Sequence, residues 1–304
     1  MNILVLGAAG FAGSALCRAL LKCGYTVFDA DNRANAAYKF DLSDRKSIDE
    51  LMIKSSPQVI IHLAGASSVG ASWNSPVETF SVNTTGSLNV FMSHLQYAPE
   101  ARFIFAGSAE EYGRSSETPF RENDICTPSN PYALSKYSAA EAMNILAAKN
   151  NTRFIHLRLA NHYGPGQRSG FVTADFASQI AAMENSPAAE IKVGNLEPMR
   201  DFLYVGDVVD AYMKIIEKPT FASGTYNIGT GKPIRIREIL DTLLEISQIR
   251  AEIVVDPEKF RTADINKMSL DSTKFAKEFN WHPSVPLKDG LRLTYEAIKN
   301  GTSR

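Results

Sequence analysis

The chain has 304 residues, 44% of them apolar, enough to bury a large core in one sizeable domain or two lobes. Its formal net charge of −1 excludes a global basic field that would recruit nucleic acid or an anionic membrane, so any phosphate recognition falls to a few placed arginines or a helix N-terminus. No run offers ~20 consecutive apolar residues for a membrane span, no basic segment leads into an apolar targeting stretch, and Cys17, Cys23 and Cys126 form no Cys-x-x-Cys pair. The expectation is a cytoplasmic globular protein with reduced thiols, no metal, and neither nucleic acid nor membrane as partner.

Ile3-Leu4-Val5-Leu6 is a short continuous apolar run of the kind that forms a strand buried on both faces. It leads into Gly7-Ala8-Ala9-Gly10-Phe11-Ala12-Gly13, after which residues 14–22 have helical periodicity. Strand, glycine loop and helix in this order form the first half of a dinucleotide-binding unit. The glycines allow a tight turn, close approach of backbone to a pyrophosphate and close helix–strand packing, while the helix N–H groups attract the anion. A second strand over 25–28 runs into Asp29-Ala30-Asp31-Asn32-Arg33. The unit calls for an acidic residue about 20 positions beyond the loop to bind the adenosine ribose hydroxyls, and Asp31 fits best. Its charge favours NADH, the neighbouring Arg33 softens that preference, and NADPH stays open.

Asp41-Leu42, where a third short strand would end, is a candidate adenine-side contact. A helix over 45–54 precedes a strand over 59–63, whose end at Leu63, Ala64 and Gly65 lets a cofactor approach the backbone. His62, with apolar neighbours on both sides, reads as a core-edge histidine. A long helix from about 77 to 97 carries Asn83 in its first half. The next strand, over 102–106, ends in Gly107-Ser108-Ala109-Glu110-Glu111-Tyr112-Gly113, on the side of a parallel sheet where ligands bind.

Ser129-Asn130-Pro131 signals a helix start, and Tyr132-Ala133-Leu134-Ser135-Lys136 opens a helix that runs to near Asn150. Positions four apart share a helix face, so Tyr132 and Lys136 present a phenol and an ammonium side by side. An adjacent cation favours the phenolate and brings proton exchange closer to neutral pH. Tyrosine and lysine at this spacing are commonly a half-buried ring beside a solvated charge, and a serine after glycine is commonly a turn former. Their coincidence at one sheet edge, with Ser108 placed to hydrogen-bond a reacting oxygen, is what carries weight.

After a strand over 154–159, the run Asn161-His162-Tyr163-Gly164-Pro165-Gly166-Gln167 reads as a connection that either binds through backbone groups or acts as a rigid turn. Mixed, shorter elements follow: a helix over 171–183, a strand over 190–193, a charged loop over 197–201, a helix over 208–217, a strand over 225–228 and a helix over 235–247. Nothing repeats internally, and no low-complexity linker separates two units, so the lobes are expected to interleave.

Gly7-x-x-Gly10-x-x-Gly13, Asp31, Ser108 and Tyr132-x-x-x-Lys136, in this order, resemble the extended short-chain dehydrogenase/reductase family, the nucleotide-sugar epimerases, dehydratases and reductases. The resemblance spans essentially the whole chain. It implies an α/β fold with a Rossmann-type doubly wound parallel sheet binding NAD(H) or NADP(H) and a smaller mixed C-terminal lobe binding a nucleotide-diphosphate sugar. The division would fall at 1–168 and 169–304, with segments around 200–230 returning to the first part. It also implies a homodimer built on the helices that begin at Val77 and Pro131. Arg200, in Arg200-Asp201-Phe202, and Arg261 with Asp264, in Arg261-Thr262-Ala263-Asp264, resemble positions that hold the substrate pyrophosphate and ribose, for which guanidinium is well suited. Asn161 falls at a substrate-side position.

Within the family, Asn161-His162-x-Gly164-Pro165-Gly166-Gln167, Asp175-Phe176-Ala177 and Val193-Gly194-Asn195-Leu196-Glu197 are similar to the GDP-4-keto-6-deoxy-D-mannose reductases, which make GDP-D-rhamnose. Leu159-Ala160 departs from the Pro-Phe usual there and leaves the hexose open, a 6-deoxy-talose product included. The resemblance makes Tyr132 the proton donor, Lys136 its tuner and ribose contact, and Ser108 the polarising group. Glu110 occupies the position of the base in 4,6-dehydratases, so a dehydratase or a 4-epimerase is the alternative. The absence of cysteine there argues against the epimerase/reductases that make GDP-fucose. A non-catalytic NAD(P)H sensor is the remaining alternative, disfavoured by retention of the full Ser108, Tyr132 and Lys136 set.

Overall fold

Alternation along the first strand decides the layout. In β1 (Asn2–Leu6), Ile3 and Val5 point to one face of the sheet and Leu4 and Leu6 to the other, all four fully buried, so both faces must be covered. The computed structural model describes residues 1–33, 36–113, 119–183, 190–220, 222–260 and 265–301. From β1 the chain passes through α1 (Phe11–Lys22), β2 (Thr26–Asp31), β3 (Tyr38–Lys39), α2 (Arg45–Ser55), β4 (Val59–His62), α3 (Val69–Asn74), α4 (Pro76–Phe80) and α5 (Ser87–Tyr97). Next come β5 (Arg102–Ala106), α6 (Pro131–Asn150), β6 (Phe154–Leu159), β7 (Asn161–Tyr163), α7 (Val172–Met183), β8 (Glu190–Val193), β9 (Met199–Tyr204) and α8 (Val205–Glu217). The remainder is β10 (Gly224–Ile228), β11 (Pro233–Arg235), α9 (Ile236–Ser247), β12 (Glu252–Val255), β13 (Lys267–Met268), α10 (Thr273–Phe279) and α11 (Leu287–Lys299).

The main sheet has the order β10-β6-β5-β4-β1-β2-β3, every pair parallel. This is a Rossmann-type doubly wound sheet, with β10 from the second half added beside β6. Ile3 and Val5 pack with Leu16 and Leu20 of α1 and Val208 and Ile215 of α8. Leu4 and Leu6 pack with Leu51 of α2, Phe91 of α5 and Met143 of α6. A third core joins α7, α9 and α11 through Phe176, Ile180, Leu240, Leu243, Leu291 and Tyr295. Beside it β9 pairs with β7, β11 and β13, and β8 pairs with β12. No helix among the described residues is long and apolar enough to cross a membrane, and all three cysteines are free.

Three expectations change. The segment 197–201, read as a charged loop, instead enters β9, where Arg200 and Asp201 are 4% and 2% exposed. Its charges misled because the neighbouring backbone satisfies them: Asp201 accepts hydrogen bonds from Thr230, Gly231 and Leu270. The helix expected from 77 to 97 is two α-helical pieces around a π-turn, Ser81–Gly86, which buries Asn83. The second strand is longer than expected and makes Asp31 its last residue rather than part of the following loop.

Arg102 begins β5 and is buried. Its guanidinium donates to the carbonyls of Ile215, Ile216 and Lys218 at the end of α8, groups that a helix leaves without partners. Arg102→Met keeps the apolar stem and strands those carbonyls. Urea unfolding is expected to show a loss of about 3 kcal/mol at unchanged m.

Candidate active site

The glycine loop is shaped by contacts that leave no room for side chains. Gly7 has φ +87°, and a Cβ there would lie 2.6 Å from the Ala64 nitrogen at the end of β4. A Cβ on Gly13 would overlap the Gly7 carbonyl oxygen. The packing brings the start of α1 against the sheet edge. Gly10 caps that helix without any side-chain hydrogen bond, so the first-turn N–H groups of Phe11, Ala12 and Gly13 face the cleft uncapped by a side chain. Asp31, 4% exposed, accepts the Ala9 N–H on Oδ2 (3.0 Å) and the Arg33 N–H on Oδ1 (3.1 Å). Arg33 reaches back to the Ala9 carbonyl.

One cleft of about 1710 Å³ runs from this loop across the carboxyl edge of the sheet into the smaller lobe. It brings together Gly7, Gly10, Phe11, Ala12, Gly13, Asp31, Asn32, Arg33, Asp41, Leu42, Leu63, Ala64 and Gly65 with Ser108, Glu110, Tyr132, Lys136, Asn161 and Arg200. Asn83 lies beneath rather than in it. Its amide exchanges two hydrogen bonds with the Ala66 backbone and donates to Ser135 Oγ, and a Cβ on Gly65 would sit 2.7 Å from its Oδ1. Asn83 therefore shapes the floor through backbone. Arg261 and Asp264 fall outside the described residues. A glycine cradle, uncapped helix N–H groups and an acid at the end of β2 fit a dinucleotide.

Ser108 caps the short turn Ala109–Tyr112, its hydroxyl accepting from the Glu110 N–H (3.2 Å). That leaves the O–H hydrogen to donate into the cleft. Glu110 is buried, with Oε2 held by Asn130 Nδ2 at 3.1 Å. Asn130 also caps α6 through the Ala133 N–H, fixing the turn of helix that carries Tyr132. Lys136 donates to the Ala106 carbonyl (2.9 Å) and lies over the Phe105 ring.

In the cofactor-free structure the phenol lies above its ordinary value, not below it as expected from Lys136. Burial pushes Tyr132 up to about 12, the Ser108 hydroxyl opposes this, and the Glu111 and Glu110 charges reinforce it. Burial lowers the Lys136 ammonium to about 8, and the Glu111 carboxylate works against that fall. His62 is fully buried with Nε2 on Ser87 Oγ at 2.9 Å, and burial followed by the nearby Lys136 charge lowers it to about 3. It is a neutral core histidine.

Sequence reasoning passed over two features. His162 stacks on Phe11 of the glycine loop, with ring centroids 5.7 Å apart and planes 3° apart, tying the turn after β6 to the cradle. Glu111, adjacent to the Glu110 that drew attention, is fully buried against His156 and Arg158. The Ser108-x-x-Glu111 spacing of a capping box was the available signal for it.

Cradle, sheet edge and the Ser108, Tyr132 and Lys136 set define an oxidoreductase-type site on a Rossmann fold. A family model described as GDP-mannose 4,6 dehydratase matches residues 4–294. The chain is 31% identical over 294 residues to GDP-6-deoxy-D-mannose reductase of Pseudomonas aeruginosa, covering 96% of this chain and 95% of the relative. The solved structure of RMD from Pseudomonas aeruginosa complexed with NADPH superposes with a TM-score of 0.89 at 29% identity, covering 99% of this chain and 100% of the other. UDP-glucose 4-epimerase from Thermus thermophilus in complex with NAD also gives 0.89, at 28% identity over 98% of this chain and 99% of the other. The chain thus belongs to the GDP-mannose 4,6-dehydratase family, among the nucleotide-sugar reductases and epimerases of the short-chain dehydrogenase/reductase type.

Lys136 makes a prediction about pH. Its folded value of about 8 lies below the 10.5 of a free lysine, so between these values the unfolded chain holds a proton that the native state has released. Stability gained from this site therefore rises with pH across that window, by up to about 1.4 kcal/mol per pH unit. The difference in unfolding free energy between wild type and Lys136→Met is expected to climb between about pH 8 and about pH 10 in urea titrations. A flat difference refutes the assignment.

Proposed function

We propose that the protein reduces the C4 keto group of a nucleotide-diphosphate 4-keto-6-deoxyhexose with NADH or NADPH, its substrate being GDP-4-keto-6-deoxy-D-mannose and its product GDP-D-rhamnose. The observation that carries this reading is the meeting of Ser108, Tyr132 and Lys136 with the glycine cradle in one cleft. The Pseudomonas aeruginosa relative supports the choice of sugar nucleotide.

Bound reduced nicotinamide supplies the hydride for the sugar C4. Tyr132, a neutral phenol at working pH, holds the proton that the C4 oxygen takes up. Ser108, its lone pair engaged by the Glu110 N–H, donates its O–H to the carbonyl oxygen and polarises it. Lys136, anchored on Ala106, would hold the nicotinamide ribose and offer its positive charge to the phenolate left by proton transfer. Arg200, held from β9 by the Met199 and Ile265 carbonyls, supplies fixed positive charge for the substrate pyrophosphate, and the sequence resemblance adds Arg261, Asp264 and Asn161 as substrate contacts.

The engagement of both Asp31 oxygens by loop N–H groups, with Arg33 half-exposed beside them, supports acceptance of NADPH. A homodimer is supported by the apolar side chains that α6 and α4 leave exposed, Leu134, Ile145 and Val77. The buried Glu110 beside Asn130 favours one second reading, a 4,6-dehydratase that uses Glu110 as base.

The deciding experiment follows NADPH and NADH oxidation with GDP- and dTDP-linked 4-keto-6-deoxyhexoses, products being identified by NMR. Turnover confined to the GDP substrate with GDP-D-rhamnose as product bears the proposal out; conversion of GDP-mannose without added reductant replaces it with the dehydratase. Tyr132→Phe is expected to lower kcat by about 10²–10⁴-fold while NADPH affinity in a fluorescence titration stays near wild type. Arg33→Ala is expected to weaken NADPH about tenfold and leave NADH largely unchanged; equal loss for both removes Arg33 from cofactor selection.

A further inference from the structure

Behind Ser108 lies a buried ionic cluster that the chemistry above leaves unused. Glu111 Oε1 accepts the Ser108 backbone N–H at 2.8 Å and lies 3.1 Å from His156 Nε2, while Oε2 lies 3.1 Å from Arg158 Nε. Both glutamate oxygens are thus committed, and the side chain is fully buried. His156 and Arg158 are alternate residues of β6 and leave the sheet on one face. Arg158 also donates to the Glu122 carbonyl and lies over the Tyr112 ring. Gly107 completes the arrangement, because a Cβ there would overlap both His156 Nε2 and Glu111 Oε1.

Such a cluster is costly where an aliphatic side chain would pack at least as well. Closing a four-residue turn does not require charge. The turn opens directly onto the cleft, and among the described residues the buried ammonium beside it is that of Lys136: it holds the Ala106 carbonyl, and Glu111 Oε1 packs against the next residue, Gly107. The Glu111 carboxylate supports that positive charge against burial. The charges coupled to Lys136 are Glu111 from this turn and His62 from the end of β4; Glu111 in turn faces His156 and Arg158 and acts on the Cys126 thiol and on the Tyr132 and Tyr137 phenols of α6. Burial works to raise the Glu111 carboxyl, but His156, Arg158 and the Ser108 N–H prevail and hold it below the ordinary carboxylate range. It therefore stays charged wherever the enzyme works.

We propose that Glu111, locked by His156 and Arg158, is a positioning residue that fixes the Ser108 backbone and supplies the counter-charge keeping Lys136 an ammonium in the cleft. Its kinetic half rests on the reductase reading; its electrostatic half does not. Glu111→Gln removes the charge and keeps an acceptor for Ser108. Glu111→Asp keeps the charge and draws it back from the Ser108 N–H.

The test follows the Lys136 side chain by heteronuclear NMR through a pH titration of the cofactor-free protein, with its resonance assigned against Lys136→Met. Glu111→Gln is expected to move the Lys136 midpoint down by about one pH unit, and with substrate to move the alkaline limb of kcat/KM the same way. Glu111→Asp is expected to leave the midpoint in place and lower kcat about tenfold at unchanged KM. A folded Glu111→Gln with an unmoved Lys136 midpoint overturns the counter-charge, and a Glu111→Asp with wild-type kcat overturns the positioning. Should Glu111→Gln fail to fold, Glu111→Leu, which fills the site without a charge, is titrated in its place with the same two outcomes for the counter-charge, and Glu111→Asp still decides the positioning by its kcat. Because the titration needs neither cofactor nor sugar, its failure is distinguishable from failure of the reductase assignment.

Discussion

The close approach of the glycine loop to the end of β4 is the constraint on which the rest depends. With no side chain at Gly7 or Gly13, the first turn of α1 lies against the sheet edge, and its N–H groups open onto the cleft. A parallel sheet buried on both faces sends its connections out at the two ends, so the carboxyl end collects the functional loops. Asp31, the Leu63-Ala64-Gly65 segment and Ser108 reach one cleft because each lies at the carboxyl end of a strand of that sheet, β2, β4 and β5.

The site is organised by backbone contacts more than by pairs of side chains. Asn83 works through the Ala66 backbone, Asn130 through the first turn of α6, and Lys136 through the Ala106 carbonyl. This arrangement separates the roles of phenol and ammonium. Tyr132 is held protonated by burial, which suits a proton donor, while Lys136 spends its hydrogen bond on the strand end and contributes its charge. The adjacent glutamates divide similarly: Glu110 borders the cleft, and Glu111 points into the sheet interior to meet His156 and Arg158.

The π-turn at Ser81–Gly86 belongs to the same economy of space. One wide turn within an otherwise α-helical run buries Asn83 under the end of β4 and lets Thr84 donate to the Ser135 carbonyl of α6. Hydrophobic periodicity over 77–97 describes a continuous helix, because a single wide turn hardly disturbs an average taken over many residues. The local feature that serves the site is therefore the one that the average conceals.

Much was legible in the chain before any coordinates. The order of strand, glycine loop and helix, Asp31 beyond it, Ser108 at a strand end and the Tyr132 to Lys136 spacing each express a local rule, and local rules are written in adjacent residues. Segment 197–201 was misread because polarity forecasts exposure only where tertiary partners are absent, and Asp201 finds its partners at Thr230, Gly231 and Leu270. Tertiary structure alone decided that the phenol is raised rather than lowered, since burial and the charges of Glu110 and Glu111 come from elements brought together in space. It alone joined Glu111 to His156 and Arg158, 45 and 47 residues away. Contacts at that separation depend on the register of β5 against β6, which no spacing within either segment records.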